Sequence, residues 1–406
     1  MPWDPYLESL TFRRVRYRYR GCSLEFDLSQ ALFSSAGVDT GTQLLLGLLD
    51  EHLDRRSYGR VVDVGCGTGT LGIAIAGSSG IGLEAVDRDA LAVAFTERNA
   101  RVNGIEPAQV RPALAPPACS GAGLSAGPDL VVCNLPAKAG EPVLRMLISR
   151  MSRLAMQSGG ACAVVIVTPL SELLADELRS LRVEVTAERR TVNHVAAVFR
   201  EAVLCEPREE PELSAFFRGI CEFEGPRRPY RLQSVYNLPE FDGLSYRTAV
   251  AFGLLRGRRI TGSVLLYGCG QGHLLVGLSQ TVKRDATLVV TDRDLLALEI
   301  TAFNAERCGR AGVATRVVPG IAAVCGAANP GSIDLLVVND DPVSGSSWND
   351  AVRDSADTLL TPGGHLLLVS RSTAVTRFER TAGDRLRLTE DRRMHGYRAA
   401  LFRRKD

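Results

Sequence analysis

Between residues 63 and 69 the chain reads Asp-Val-Gly-Cys-Gly-Thr-Gly, a glycine-rich turn between an apolar run and a helical one. Gly65, Gly67 and Gly69 let the backbone approach a ligand closely and adopt angles that other residues disfavour. The helix that follows begins with unpaired amide donors. Asp87 lies 22 residues after Gly65, at the end of the next apolar run, where a carboxylate suits the hydroxyls of a ribose. A dinucleotide fold calls for GxGxxG, but Thr70 occupies the place of the third glycine. Acid and glycines together favour a neutral nucleoside over a diphosphate. A later apolar run ends in Asn134-Leu135-Pro136. Packing of a helix on a strand would explain the glycines alone, but not loop, acid and Asn-x-Pro in that order.

The elements that must hold these residues occur twice. RVVDVGCGTGTLGIAIA (60–76), LEAVD (83–87), AFTERNARVNG (94–104), DLVVCNLP (129–136), GGACAVVIV (159–167) and HVAAVFR (194–200) are followed by a second set in the same order. That set is SVLLYGCGQGHLLVGL (263–278), TLVVTD (287–292), EITAFNAERCG (299–309), DLLVVNDDP (334–342), GGHLLLVS (363–370) and YRAALFRR (397–404). Asp87 and Asp292, Asn99 and Asn304, Gly104 and Gly309, and Asn134 and Asn339 are each 205 residues apart, and Gly65 and Gly268 are 203 apart. Such a constant offset indicates duplication. Upstream of each copy, ALFSSAGVDTGTQLLLGLL (31–49) matches PEFDGLSYRTAVAFGLL (239–255). Apolar runs alternating with helical segments predict α/β domains with mostly parallel sheets covered by helices on both faces. The expected domains are 1–205 and 206–406, joined by the proline- and charge-rich CEPREEPEL (205–213).

Composition narrows the function classes. Residues 1–205 carry 21 Lys and Arg against 22 Asp and Glu, and residues 206–406 carry 27 against 24. Neither half is the strongly basic body that grips long nucleic acid by charge alone. The opening MPWDPYLESL lacks the basic start and apolar core of a signal peptide, and no apolar run reaches the roughly 20 residues of a membrane span. A cytoplasmic protein with no membrane contact is expected. The ten cysteines form no CxxC pair, and several sit in apolar runs as small buried hydrophobes, so no metal site is expected.

The GxGxG spacing after Asp63 resembles motif I of class I methyltransferases. Together with FSSAGVDTGTQLLL (33–46) and Asn134-Leu135-Pro136-Ala137-Lys138, it makes the chain similar to the ribosomal RNA guanine-N2-methyltransferases, which also use two tandem folds, one catalytic and one degenerate. The resemblance implies two Rossmann-like domains of seven-stranded, mostly parallel sheets, with the first copy catalytic and S-adenosyl-L-methionine as cofactor. The cofactor-contacting residues would be Asp63, Gly65, Cys66, Gly67, Thr68, Gly69, Asp87, Arg88 and Asn134. The family's acceptor motif reads NPPF followed by His. An exocyclic amine conjugated to a ring is a poor nucleophile, and two hydrogen-bond acceptors can aim its lone pair at the methyl group. Positioning then supplies most of the rate. By this resemblance the Asn134 side chain and the Leu135 carbonyl are the acceptors, Pro136 shapes the loop, and Lys138 stands where the family has His. Ala137 replaces the aromatic that stacks a flipped base, a contact worth about 1–3 kcal/mol. RPALAPPACSG (111–121) lacks the acid with which the family often holds the adenine amine.

In the second copy Gly268, Gly270 and Asp292 persist, but Leu266 replaces the acid at the place of Asp63 and His273 that of Thr70. His273 reads as a helix-start residue. Asp340 and Asp341 either grip an amine or form a solvated loop, and the copy is expected to be a degenerate, substrate-orienting scaffold. In FRRVRYRYRG (12–21), Arg14, Arg16, Arg18 and Arg20 share one face of a strand. They are candidate RNA contacts, or the wet face of a hairpin whose tyrosines pack inward. Three functions therefore stand: methylation of an exocyclic RNA amine, methylation of a small molecule or peptide in specialised metabolism, and non-catalytic binding by a retained fold.

Overall fold

A computed structural model of the chain describes residues 4–52, 57–116, 129–201, 212–283, 286–383 and 385–405. It divides into two compact units, Thr11–Phe216 and Met1–Leu10 with Phe217–Asp406. The chain thus opens with a short helix, α1 (Asp4–Ser9), that belongs to the C-terminal unit, a placement the expected division at 205 does not include. Most of the expected linker lies outside the described residues.

The N-terminal unit begins with a hairpin, β1 (Arg13–Tyr19) and β2 (Cys22–Leu28), turned at Arg20-Gly21, both at positive φ as a two-residue turn of this hand requires. Then come α2 (Thr40–His52), β3 (Arg60–Val64), α3 (Thr70–Ser79), β4 (Gly82–Asp87), α4 (Ala90–Val102), β5 (Gln109–Pro112) and β6 (Asp129–Asn134). The unit closes with α5 (Glu141–Gln157), β7 (Ala161–Val167), α6 (Ser171–Ser180), β8 (Val183–Arg190) and β9 (His194–Glu201). The sheet order is β5-β4-β3-β6-β7-β9-β8, parallel except at β9. All five residues of β3 are buried, as are the first five of β6 and six of β7, which explains why these strands read as unbroken apolar runs.

The C-terminal unit repeats the plan. Its hairpin is β10 (Phe217–Phe223) and β11 (Tyr230–Val235), followed by α7 (Tyr246–Leu255), β12 (Val264–Tyr267), α8 (His273–Ser279), β13 (Leu288–Asp292), α9 (Leu295–Arg307), β14 (Ala314–Val317) and β15 (Ile333–Asn339). It ends with α10 (Trp348–Leu359), β16 (Leu360–Arg371), α11 (Ser372–Thr381), β17 (Leu386–Met394) and β18 (Tyr397–Arg404). The sheet order β14-β13-β12-β15-β16-β18-β17 is the same pattern.

The repeated polar residues show what the fold itself needs. Buried Asn99 accepts from the Asp27 amide (2.8 Å) and donates to the Asp27 and Thr68 carbonyls, tying hairpin, α4 and glycine turn together. Asn304 makes the same three bonds to Gln233 and Gln271. Asp89 and Asp294 each cap the following helix by accepting the amide two residues on, at 3.0 Å. These are structural duties, and both copies keep them.

Candidate active site

The first glycine turn leaves β3 at Gly65 and enters α3 after Gly69, with Gly65, Gly67 and Gly69 at φ of 69°, 57° and 78°. The two leading glycines face open space: a Cβ built on Gly65 or Gly67 meets no atom within 4 Å. Gly69 is different, since its Cβ would lie 2.7 Å from Ile73 and 2.9 Å from Thr96, so it is a packing residue. Asp87 ends β4 beside the turn, accepting the Gly67 amide on one carboxylate oxygen and the Asp89 amide on the other, both at 2.9 Å. A carboxylate offers about four lone pairs, so capacity remains for ribose hydroxyls. Burial pushes its pKa up, while backbone amides and the Arg88 charge pull the other way.

Three of the expected cofactor residues support the turn from within. Asp63 is 2% exposed and accepts the Gly72 amide at 2.9 Å, joining β3 to α3 from beneath the turn. Burial raises its pKa to about 7. Cys66 is buried, with Thr96 donating to its sulfur, and burial pushes its thiol pKa well up. Thr68 is buried too, its carbonyl held by Asn99.

Asn134 stands at the end of β6. Its side-chain amide donates to Asp39 Oδ2 (2.8 Å) and Thr42 Oγ1 (3.2 Å). A carboxylate only accepts, so this pairing fixes the amide orientation and turns Oδ1 away from Asp39. Asp39 also accepts the Thr42 amide at 3.1 Å, capping α2. Gly41 is required here, because a Cβ would lie 2.9 Å from Asp39 Oδ2 and 3.2 Å from the ring of His194. Asp39 and His194 were not among the expected site residues. The signal for Asp39 was present in Val-Asp-Thr-Gly-Thr, an acid three residues before a threonine at a helix start. Beyond Asn134, Leu135 is buried and its amide donates to the Val165 carbonyl, while Pro136, Ala137 and Lys138 are exposed. Of the stretch 111–121, residues 117–121 lie outside the described residues.

The second turn is crowded at its first glycine, while a Cβ on Gly270 would still meet no atom within 4 Å. Asn339 donates to the Gly268 carbonyl at 2.8 Å, and a Cβ on Gly268 would fall 2.1 Å from the Asn339 carbonyl oxygen. Tyr6 of α1 packs at Gly320, where a Cβ would lie 2.7 Å from its ring, and lies in the field of Asp340. Asp340 accepts from the Trp348 indole, and Asp341 accepts from Ser370, the Arg371 amide and Arg247. Both carboxylates are thus engaged inside the unit rather than forming a solvated loop. His273 begins α8, 2% exposed, with its Nδ1 2.9 Å from the Tyr230 hydroxyl, a packed helix-start residue as expected.

Residues 23–192 match the family model described as the methyltransferase small domain. The matched stretch lies wholly within the N-terminal unit. The ribosomal RNA large subunit methyltransferase G of Ectopseudomonas mendocina is 38% identical over 160 residues, covering 37% of this chain and 40% of that protein. The ribosomal RNA small subunit methyltransferase C of Chromohalobacter salexigens is 40% identical over 88 residues, 22% of this chain and 26% of that protein. The chain therefore spans well under half the length of these relatives. The 16S rRNA N2 guanine methyltransferase of T. thermophilus, solved with AdoMet and guanosine, superposes over 98% of this chain and 99% of its own, with a TM-score of 0.64 at 15% identity. That likeness extends the shared fold to both units.

Elsewhere the N-terminal unit answers the arginine-strand question in part. Arg14 forks onto Asp27 (2.6 and 2.9 Å), Arg16 pairs with Glu25 and Arg20 with Asp50, while Val15, Tyr17 and Tyr19 pack on the core. Asp27, 1% exposed, also takes Arg98, and the two guanidinium groups hold its pKa down against burial. Among the described residues no group of His, Cys, Asp and Glu has metal-ligand geometry, and no helix is long and apolar enough to cross a membrane.

Proposed function

We propose that the N-terminal unit binds S-adenosyl-L-methionine at Gly65, Gly67 and Asp87 and methylates an exocyclic amine nitrogen of an RNA base held at Asn134. The observation that carries this reading is the pairing of an open glycine cradle with an asparagine whose amide is pre-set by Asp39 and Thr42. The cofactor supplies an electrophilic methyl group on a sulfonium. The chain supplies geometry: Asn134 Oδ1 and the Leu135 carbonyl accept the N–H groups of the amine, and so direct its lone pair out of the base plane. Because Asp39 holds the asparagine before substrate arrives, no reorganisation is needed at the moment of reaction. The relatives named above are ribosomal RNA methyltransferases, which supports RNA as the acceptor class.

Ala137 leaves the base face without the family's aromatic. Phe33, 72% exposed on the loop that ends at Asp39, is our candidate for that platform. The C-terminal unit is a scaffold in this reading, since Asn339 crowds Gly268 where Gly65 is open, and Tyr6 packs at Gly320 in the field of Asp340. Methyl transfer from labelled cofactor to ribosomal RNA, with Asn134→Ala as control, tests the assignment. Labelled N-methylated base in the wild type and none in the variant is expected. Incorporation that survives in Asn134→Ala overturns it.

A further inference from the structure

A cleft of about 320 Å³ opens where the hairpin β10–β11 meets α8 and the end of α9. Arg228, Arg231, Arg307 and Arg310 line it, with Tyr230 and Cys308 between them. The charges of Arg228 and Arg307 both act on the Cys308 thiol, which places them around one spot.

The residues lining the cleft differ from their counterparts in the first copy. Arg231 stands where the first unit has Glu25: in each, the backbone carbonyl accepts from the residue after the matching helix, Asn103 at 2.7 Å or Cys308 at 3.4 Å. Arg307 and Arg310 stand 205 residues after Val102 and Ile105, both apolar. Arg228 comes from an insertion, because the two-residue turn Arg20-Gly21 is replaced here by Glu224–Pro229.

The inserted loop is held firmly. Gln280 accepts the amides of Arg227 and Arg228 at 3.0 and 3.1 Å and donates to the Arg228 carbonyl at 3.0 Å. Gly225 fits so closely that a Cβ would lie 2.4 Å from that carbonyl. Pro226 and Pro229 restrict the remaining dihedrals. Arg307 lies over the Phe303 ring at 5.5 Å, and Arg310 donates to the Lys283 carbonyl at 3.3 Å. A fixed loop loses little entropy when its side chains engage an anion.

We infer that this cleft holds backbone phosphates of the RNA acceptor, making the C-terminal unit a grip rather than an inert remnant. Guanidinium forks match phosphate oxygens. The concave shape admits a phosphodiester strand and not a flat bilayer surface. The inference rests on the RNA reading of the preceding subsection.

The test is the salt dependence of binding deproteinised ribosomal RNA by the full chain, wild type against Arg228→Gln/Arg307→Gln. Each phosphate contact on a single strand contributes about 0.7 to the slope of log K against log salt, so losing two lowers the slope by about 1.4 and the affinity about 25-fold at about 0.1 M salt. Arg228→Lys/Arg307→Lys retains charge and is expected to retain the slope. A Gln variant whose slope equals the wild type's overturns the inference, as does a Lys variant that loses as much as the Gln variant. Binding of anionic vesicles that depends on these arginines, with RNA binding indifferent to them, also overturns it. Calorimetry with S-adenosylhomocysteine reads the cofactor site without RNA, and the slope reads the grip without methyl transfer. Failure of one reading is therefore separable from failure of the other.

Discussion

Placing one methyl group in each glycine turn distinguishes the two copies. Gly65 has φ 69° and nothing within 4 Å of its virtual Cβ. Gly65→Ala thus carries only the left-handed backbone penalty, ~1–2 kcal/mol. For a unit of this size that is about 2–4 °C of melting temperature per kcal/mol. The same methyl group occupies the cradle and should weaken S-adenosylhomocysteine by about 100-fold or more, ~2.8 kcal/mol. Gly268 has φ 84° and its Cβ would lie 2.1 Å from the Asn339 carbonyl oxygen. Gly268→Ala adds overpacking to the backbone penalty, about 3–5 kcal/mol together. It touches no ligand space, so affinity per folded molecule stays at the wild-type value. Thermal melting and calorimetry on both variants read the two quantities separately. The reasoning fails if Gly268→Ala abolishes binding, or if Gly65→Ala binds S-adenosylhomocysteine as tightly as the wild type.

Three further outcomes are expected. Asp39→Ala removes a charge-assisted bond worth about 1.5–3 kcal/mol, so methyl transfer should slow roughly 10- to 100-fold while S-adenosylhomocysteine affinity stays within a few-fold; equal losses in both would assign Asp39 to the fold alone. Phe33→Ala should raise KM for RNA about 5- to 100-fold, the value of one stacked base, with kcat little changed; an unaltered KM would place the base face elsewhere. Asp63 titrates near 7 in the folded unit against about 4 unfolded, so the native state holds the extra proton in that window and its stability falls as pH rises from about 4 to 7. Asp63→Asn removes this loss while its amide oxygen still accepts from Gly72, and should gain stability relative to the wild type between pH 5 and pH 8; a pH-independent difference would refute the buried-acid reading.

The sheets were legible because both faces of β3, β6 and β7 are covered, leaving runs that period and composition identify. The glycine turn was legible for a similar reason, since its chemistry is written in consecutive residues. What sequence spacing did not show was depth. Asp63 and Asp87 read alike as acids near a ligand, yet Asp63 is 2% exposed beneath the turn, whereas Asp87 flanks it. Asp39 was hidden for another reason: it lies 95 residues from Asn134 in the chain, and only the folding of α2 against β7 and β9 brings them together. The placement of α1 with the distant unit had no periodic signal at all, resting on Tyr6 and Leu7 in a six-residue helix and on Leu10 just beyond it.

Comparing the copies separates residues kept for folding from residues kept for chemistry. Asn99 and Asn304 make the same three bonds, and Asp89 and Asp294 make the same cap; losing either would strand buried donors or acceptors at about 1–3 kcal/mol each. The crevices, by contrast, diverge in the direction that packing favours. An open cradle is a cavity maintained against collapse, and only ligand binding repays its cost. In the second copy Asn339 sits against Gly268 and Tyr6 packs beside Gly320. The surface differs as well: Glu25, Val102 and Ile105 of the first copy correspond to Arg231, Arg307 and Arg310 of the second. Arg231 is paired with Glu222 at 2.9 Å and Arg310 donates to backbone carbonyls, which leaves Arg228 and Arg307 as the neighbouring like charges that oppose folding. An anion bound between them would offset that repulsion, which is why the second unit is proposed to hold the acceptor while the first does the chemistry.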